Sequence, residues 1–255
     1  KAYTEAADGD VIDLTGTFDW TDAEQYQGYE TSGFIIAKSI TIQGQGADQT
    51  FVQAASEDNI GNRKVFTIQS PASTTIQNIS VRYGKVDSHG GCISLSAGTS
   101  LTLRNAEVYN CRATGATRNG GAIHMLGVAT TTIENSAIYN NVSGSNGGGI
   151  ANRDGGNLYL TNSTIYSNQQ TGGIGGGGIF SSGDGTVSYI TNSTITNNTA
   201  ACGGGINTYT NATTYLKNSI VAGNISTLED PWRENFYQSL GTYVSGGYNI
   251  LGYNT

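Results

Sequence analysis

A chain of 255 residues with 37 Gly, 2 Pro and only 12% charged residues has the composition neither of a helical bundle nor of a disordered segment. Its 19 acids outnumber its 12 bases, giving a net charge of −7, so no surface can carry the dense Lys/Arg array that a phosphate backbone demands. Nucleic acid is therefore not an expected partner, and no apolar run approaches the roughly 18 residues that cross a bilayer, so membrane insertion is not expected either.

The start, KAYTEAADGD, lacks a hydrophobic signal core and reads as a mature or trimmed end. Residues 2 to 7 are expected to form a short helical cap. GDVIDLTGTF then begins a series of short β-branched strands, followed by FIIAKSITIQGQGADQTFVQA and KVFTIQSPASTTIQNISVRYG. From there the pattern becomes a repeat. A GGxI signature ends at Ile93, Ile123, Ile150, Ile179 and Ile206, and 12 or 13 residues after each Ile an Asn closes an alternating segment, at Asn105, Asn135, Asn162, Asn192 and Asn218. Six residues later a third strand closes on Asn141, Asn168, Asn198 and Asn224, with Cys111 in that place in the first copy. The segment after Ser226 breaks the repeat with Pro231, clustered charges and aromatics, as the terminal unit of a solenoid should.

Three strands per period of 27 to 30 residues is too short for a propeller blade and too strand-rich for a helical repeat. The pattern predicts an all-β, right-handed parallel β-helix, a three-sided solenoid of seven to nine turns. As one domain it comprises a cap and first turn over 1–34, regular turns over 35–224 and a capping turn over 225–255. Coils about 4.8 Å apart place equivalent residues above one another. One interior row is then Ile93, Ile123, Ile150, Ile179 and Ile206; a second is Leu103, Ile133, Leu160, Ile190 and Leu216; a third is Val108, Ile138, Ile165, Ile195 and Val221. Asn141, Asn168, Asn198 and Asn224 should form a ladder of side-chain amides.

These residues resemble the secreted right-handed parallel β-helix proteins of bacteria, in the pectin-lyase-like fold group. GGAIHM paired with IYNN is similar to the repeat of chlamydial polymorphic membrane proteins, and TEAADGDVIDLTGTF and LKNSIVAGN…GGYNILG resemble the opening and closing turns of large bacterial surface β-helix proteins. The resemblance implies an extracellular or cell-surface location. The fold group hosts lyases, hydrolases, adhesins and structural fibres, so function must be sought in the residues.

A lyase would need a Lys or Arg base with a neutraliser of negative charge, and a hydrolase two or three carboxylates on one face. Arg104 and Glu134 stack as neighbours and are expected as an exposed ion pair. Arg153, Asp154 and Asp184 sit in successive Gly-rich turns and are the candidate catalytic group; the two aspartates could share a calcium ion, although Asp-Gly is also ordinary turn chemistry. His89 and His124 fall in different rows, and His124 is expected at a solvated rim. Cys92, Cys111 and Cys202 lack CxxC spacing and are expected as buried fillers with at most one disulfide.

Tyrosine forms two outward rows, Tyr159, Tyr189 and Tyr215, and Tyr109, Tyr139 and Tyr166. They can brace the sheet or offer a flat aromatic surface to a glycan or a protein. Isolated charges and tyrosine rows together point to a non-catalytic adhesive or structural element, self-associating into a filament or binding a surface glycan or protein. The competing expectation is a polysaccharide lyase, hydrolase or carbohydrate-binding β-helix. No cofactor or metal is expected beyond that calcium.

Overall fold

The computed structural model describes residues 2–19, 31–228 and 234–252; Pro231 and the charges beside it lie outside them. The described strands wind into a parallel solenoid. One nine-stranded sheet runs from Val11–Asp13 to Thr242–Ser245, a second from Gly16–Phe18 to Ile250–Leu251, and a third, of eight strands, from Phe34–Ile36 to Phe236–Ser239. Eight coils of the third sheet agree with the expected seven to nine turns.

The register is the one the repeat implies. Ile93 pairs with Ile123, Ile150 with Ile179, Leu103 with Ile133 and Ile165 with Ile195, and all of these residues are buried. Each coil alone exposes its apolar face; only the coils above and below supply a core.

Two features go beyond three sides. A fourth ladder of two-residue strands, Lys85–Val86 through Ile225–Ser226, straightens the link between the second sheet and the third. Strands this short carry no periodicity that a sequence can display. The interior also turns polar along one corner. Ser181 and Ser188 share a hydrogen bond of 2.7 Å, Thr208 and Thr214 another of 2.7 Å, and Asn152 donates to Ser188 at 3.1 Å.

The asparagine ladder is continuous. Asn141 Nδ2 donates to Asn168 Oδ1, Asn168 to Asn198, and Asn198 to Asn224, each at 2.9 Å. Each oxygen also accepts the backbone N–H of the coil below it, as Asn168 Oδ1 does from Asn141 at 3.1 Å. The remaining amide proton goes to a main-chain carbonyl, Ile138 O in the case of Asn168. A buried primary amide thus uses its full donor and acceptor capacity. The ladder starts below Asn141 at the N–H of Cys111 and continues above Asn224 to Asn235, which donates to Gly252 O.

A serine ladder accompanies it. Ser163, Ser193 and Ser219 each accept the N–H of the serine one coil earlier, at 3.1 to 3.2 Å. The GG pair has a separate reason at each position. The first glycine has positive φ, 71° at Gly90 and Gly120, where a side chain would be strained; a Cβ on the second, Gly121, would run into the carbonyl oxygen of Gly148.

The ends differ. At the start, helix Ala2–Glu5 lays Tyr3 edge-on to Phe34, with ring centroids 4.8 Å apart, while Lys38 donates to the carbonyls of Tyr3, Thr4 and Ala6. This is the expected cap. At the other end Tyr243 packs edge-on to Phe236 at 5.1 Å and donates to Ile206 O.

Removing one rung should show how much the ladder contributes. Asn168→Ala orphans the Asn141 N–H and one N–H of the Asn141 side-chain amide, at about 1–3 kcal/mol for each buried group. Asn162→Ala loses only an exposed side chain at a φ of 49°, a cost of about 1–2 kcal/mol. Urea unfolding should place Asn168→Ala well below Asn162→Ala in stability, and equal midpoints would refute the role given to the ladder.

Candidate functional site

Chemistry on a solenoid must come from side chains outside the stacked core. The aromatic rows form as expected. Tyr159, Tyr189 and Tyr215 stack at 5.1 and 4.9 Å, and Tyr109, Tyr139 and Tyr166 at 4.8 and 4.8 Å, with interplanar angles of 6 to 10°. Nearly parallel rings whose centres are so close must overlap face on face, because rings lying side by side would be farther apart. The first row is 41, 38 and 38% exposed, and what it presents is ring edges and hydroxyls. In the second row Tyr139 donates to Glu107 Oε2 at 2.9 Å; burial first, and then that carboxylate, raise its phenol above the usual range.

The candidate catalytic group does not assemble. Asp184 Oδ1 accepts from Asn211 Nδ2 at 2.7 Å, and Arg153 Nε lies 3.9 Å from Asp154 Oδ2, too far for a hydrogen bond. Asp154 has a φ of 56°, as expected of turn chemistry. Among the described residues no three His, Cys, Asp or Glu side chains gather as a group that could hold a metal ion. Arg104 and Glu134 form the expected exposed pair at 2.9 Å.

Arg153 belongs to a different constellation, over the third sheet. The loops entering that sheet fold back across its outer face, so that His124, at the middle of strand Ile123–Met125, is only 4% exposed. The expected rim histidine is therefore buried. The same fold-back brings His89, on the preceding loop, flat against it, with ring centroids 4.6 Å apart and planes 21° apart. Residues assigned to different rows are in direct contact because one is on a strand and the other on the loop that covers it.

Three cations lie within electrostatic reach of this pair. Arg118, Arg153 and Lys64 all act on His89, and Arg153 and Lys64 on His124. Among the described residues Lys64 makes no ion pair, and burial lowers its amine to about 8. Arg153 Nε is buried without a hydrogen-bond partner, and Arg118 touches exposed Asp87 at 3.4 Å. Two arginines elsewhere are better matched: Arg112 reaches Asp58 at 2.9 Å and Arg104 reaches Glu134 at 2.9 Å. A chain of net charge −7 thus concentrates incompletely matched positive charge at one place. Such a place attracts an anion. Lys64 went unnoticed in the sequence because it precedes the first GGxI copy; the signal available was a histidine, His89, in the position before GG that Asn119 and Asn146 hold in the next copies.

Residues 65–251 match the family described as Right handed beta helix region. The chain belongs to the right-handed β-helix family. Among solved structures, this β-helix is similar to the pectin methylesterase from Aspergillus niger in deglycosylated form, with a TM-score of 0.52 and 13% identity over 98% of this chain and 79% of that one. At this identity the likeness is one of fold. No curated protein sequence matches the chain.

The buried histidine sets a pH dependence. Desolvation, then His89, Arg153 and Lys64, hold His124 at about 3, against an ordinary 6.5. Between those values the unfolded chain binds a proton that the folded chain refuses, so stability is fully present above about 6.5 and falls as pH drops towards 3. In His124→Phe, which keeps a ring for stacking, the slope of unfolding free energy between pH 6 and 4 should shrink by up to about 1.4 kcal/mol per pH unit. An unchanged slope in urea titrations would show that His124 is not refusing a proton.

Proposed function

We propose that this β-helix binds an acidic polysaccharide at the Lys64, His89, Arg118 and Arg153 face of its third sheet. The observation that carries this reading is the grouping of cations with incomplete carboxylate partnership in an acidic chain. Carboxylates or sulfates along a polymer would supply the missing charge, and charge-assisted bonds to Lys and Arg are the strong ones. A polymer also suits a long, regular surface whose neighbouring coils repeat every 4.8 Å or so. The fold shared with a pectin methylesterase is in keeping with a polysaccharide ligand.

The setting we infer is extracellular or at a cell surface, where such a β-helix acts as an adhesive element. Supporting it is the disulfide Cys92–Cys111, both residues fully buried. Structural disulfides persist in oxidising compartments. The tyrosine rows serve this reading as a rigid brace and as a rim of hydroxyl donors. Because their ring faces are turned on one another, sugar stacking on a flat platform is not part of it.

A second reading, β-elimination of a uronate polymer, is favoured by one observation. An amine held at about 8 and a histidine kept from protonation are bases near neutral pH, and Arg153 stands by to neutralise a carboxylate. A base there would take the proton next to the carboxylate while a C=C bond forms and the glycosidic C–O bond breaks, its electron pair leaving on the oxygen, which takes a proton from solvent.

Calorimetric titration with polygalacturonate, alginate, a sulfated glycan and neutral dextran separates these possibilities. Binding of the anionic polymers alone is expected, weakening with salt, with Lys64→Met and Arg153→Met each costing about tenfold or more in affinity. Affinity untouched by both substitutions would overturn the site. Ultraviolet absorbance from unsaturated ends, present in the native chain and lost in Lys64→Met, would establish elimination instead of binding alone.

A further inference from the structure

The loops over the third sheet are joined by a ladder of side-chain acceptors. Asn146 Oδ1 accepts the N–H of Ile174 at 2.8 Å and of Gly175 at 3.2 Å. Asn119 Oδ1 accepts the N–H of Asn146 at 3.0 Å. One coil below, the acceptor is His89 Nδ1, which takes the N–H of Asn119 at 3.0 Å. The three residues stand at equivalent places, each directly before a GG pair. Two rungs are amides, which accept at any ordinary pH. The third is an imidazole, which accepts only while neutral.

We propose that His89 is a pH-operated latch on the loop Thr114–Asn119, holding it closed while neutral and releasing it on protonation. The imidazolium has a proton on both nitrogens, so turning the ring over does not restore an acceptor. The Asn119 N–H would then face a donor inside a buried position, Asn119 being 2% exposed, and the contact must open. The other bonds on that segment lie mostly at its ends. Thr114 bonds to Val86 O through its N–H at 2.8 Å, Arg118 meets Asp87 at 3.4 Å in a half-exposed pair, Ser145 N–H reaches Arg118 O at 2.9 Å, and Asn119 still accepts the Gly90 N–H at its carbonyl and the Asn146 N–H at its Oδ1, each at 3.0 Å. Beyond Asn119 the chain stays anchored through Gly120 and Gly121, which bond to Asn146 and Gly147. The opening is therefore local.

The groups facing His89 set where the latch trips. His124 stacks on it from strand Ile123–Met125, Arg118 faces it from the loop above, Arg153 from strand Ile150–Arg153 and Lys64 from ahead of strand Phe66–Ile68. The carboxylates nearby are already engaged in part, Asp87 with Arg118 and, more loosely, Asp154 with Arg153. Burial and these cations lower the His89 pKa below its ordinary 6.5, so the latch is closed at neutral pH and opens in acid. Release carries Arg118 away from the anion-binding face. That consequence rests on the glycan reading; the latch itself does not.

The test is amide hydrogen exchange at Asn119, read by NMR and corrected for intrinsic rate. Native protein should keep a constant protection factor above about 6.5, the ordinary value the ring regains on opening, and lose up to about tenfold per pH unit below it until the lowered pKa of the closed state is passed, one proton being taken up on opening. His89→Asn installs the residue that the next two coils use, and should hold protection flat with pH. His89→Phe keeps a ring to stack but no acceptor, and should be unprotected at Asn119 throughout while Asn168 remains protected. Identical profiles in native protein and His89→Asn, or protection retained in His89→Phe, would overturn the latch. Polygalacturonate titration at pH 8, where the latch is closed, isolates the other reading: binding without the exchange signature removes only the latch, and the exchange signature without binding removes only the glycan.

Discussion

In-register stacking of coils governs this molecule. A single coil has no interior, so its strands, turns and side-chain hydrogen bonds are satisfied only by an equivalent coil about 4.8 Å away. Copying follows directly. A ladder amide such as Asn168 takes an N–H from the coil below and gives its own amide proton to the coil above, so that Asn198 must be an amide as well. A Leu at any one rung would strand groups on both neighbours. Exposed Asn residues at positive φ, Asn105, Asn135, Asn162, Asn192 and Asn218, repeat for a backbone reason instead, since Asn tolerates the left-handed region better than other side-chain-bearing residues.

That demand is why so much of the fold was legible in the sequence. Ile93 over Ile123 and Tyr159 over Tyr189 follow from counting residues between GGxI and Asn, and the pairings realise that count. The parts that were not legible involve contacts that the count does not encode. The fourth ladder has two residues per strand. The serine ladder was visible as Ser163, Ser193 and Ser219 but reads as one more turn residue next to Asn. The polar corner of the interior needs a side chain of the third sheet, Ser181, to meet one of the first, Ser188, and neither strand announces its partner across the core.

The site was less legible for a related reason. Row alignment places residues along the axis and around the wall but takes no account of loops folding back over the wall. His124 points outward from its strand, as alignment has it, and is buried nonetheless, because the chain around Gly120 passes over it. His89 reaches it from a coil earlier, and Lys64 and Arg153 converge from two other coils. Arg153 was found through its turn, but its expected partners were not its real ones: Asp154 stands 3.9 Å away and Asp184 is bound to Asn211.

A solenoid therefore keeps its chemistry where copying lapses. Two kinds of lapse occur here. Where a ladder merely ends, as when Tyr166 gives way to Thr196, the neighbours lose a stacking partner and nothing else changes. Where a ladder continues through a residue of different chemistry, the hydrogen bond is kept but becomes conditional on that residue's state. His89 stands in the second position: it accepts the same kind of backbone N–H that Asn119 and Asn146 accept, yet its capacity to do so depends on one proton. The stacking constraint makes such a substitution consequential, because the N–H above it is held by that rung. A repeat protein can thus gain a switch from a single residue without altering its scaffold, and the place to look for one is an acceptor rung occupied by a group that titrates.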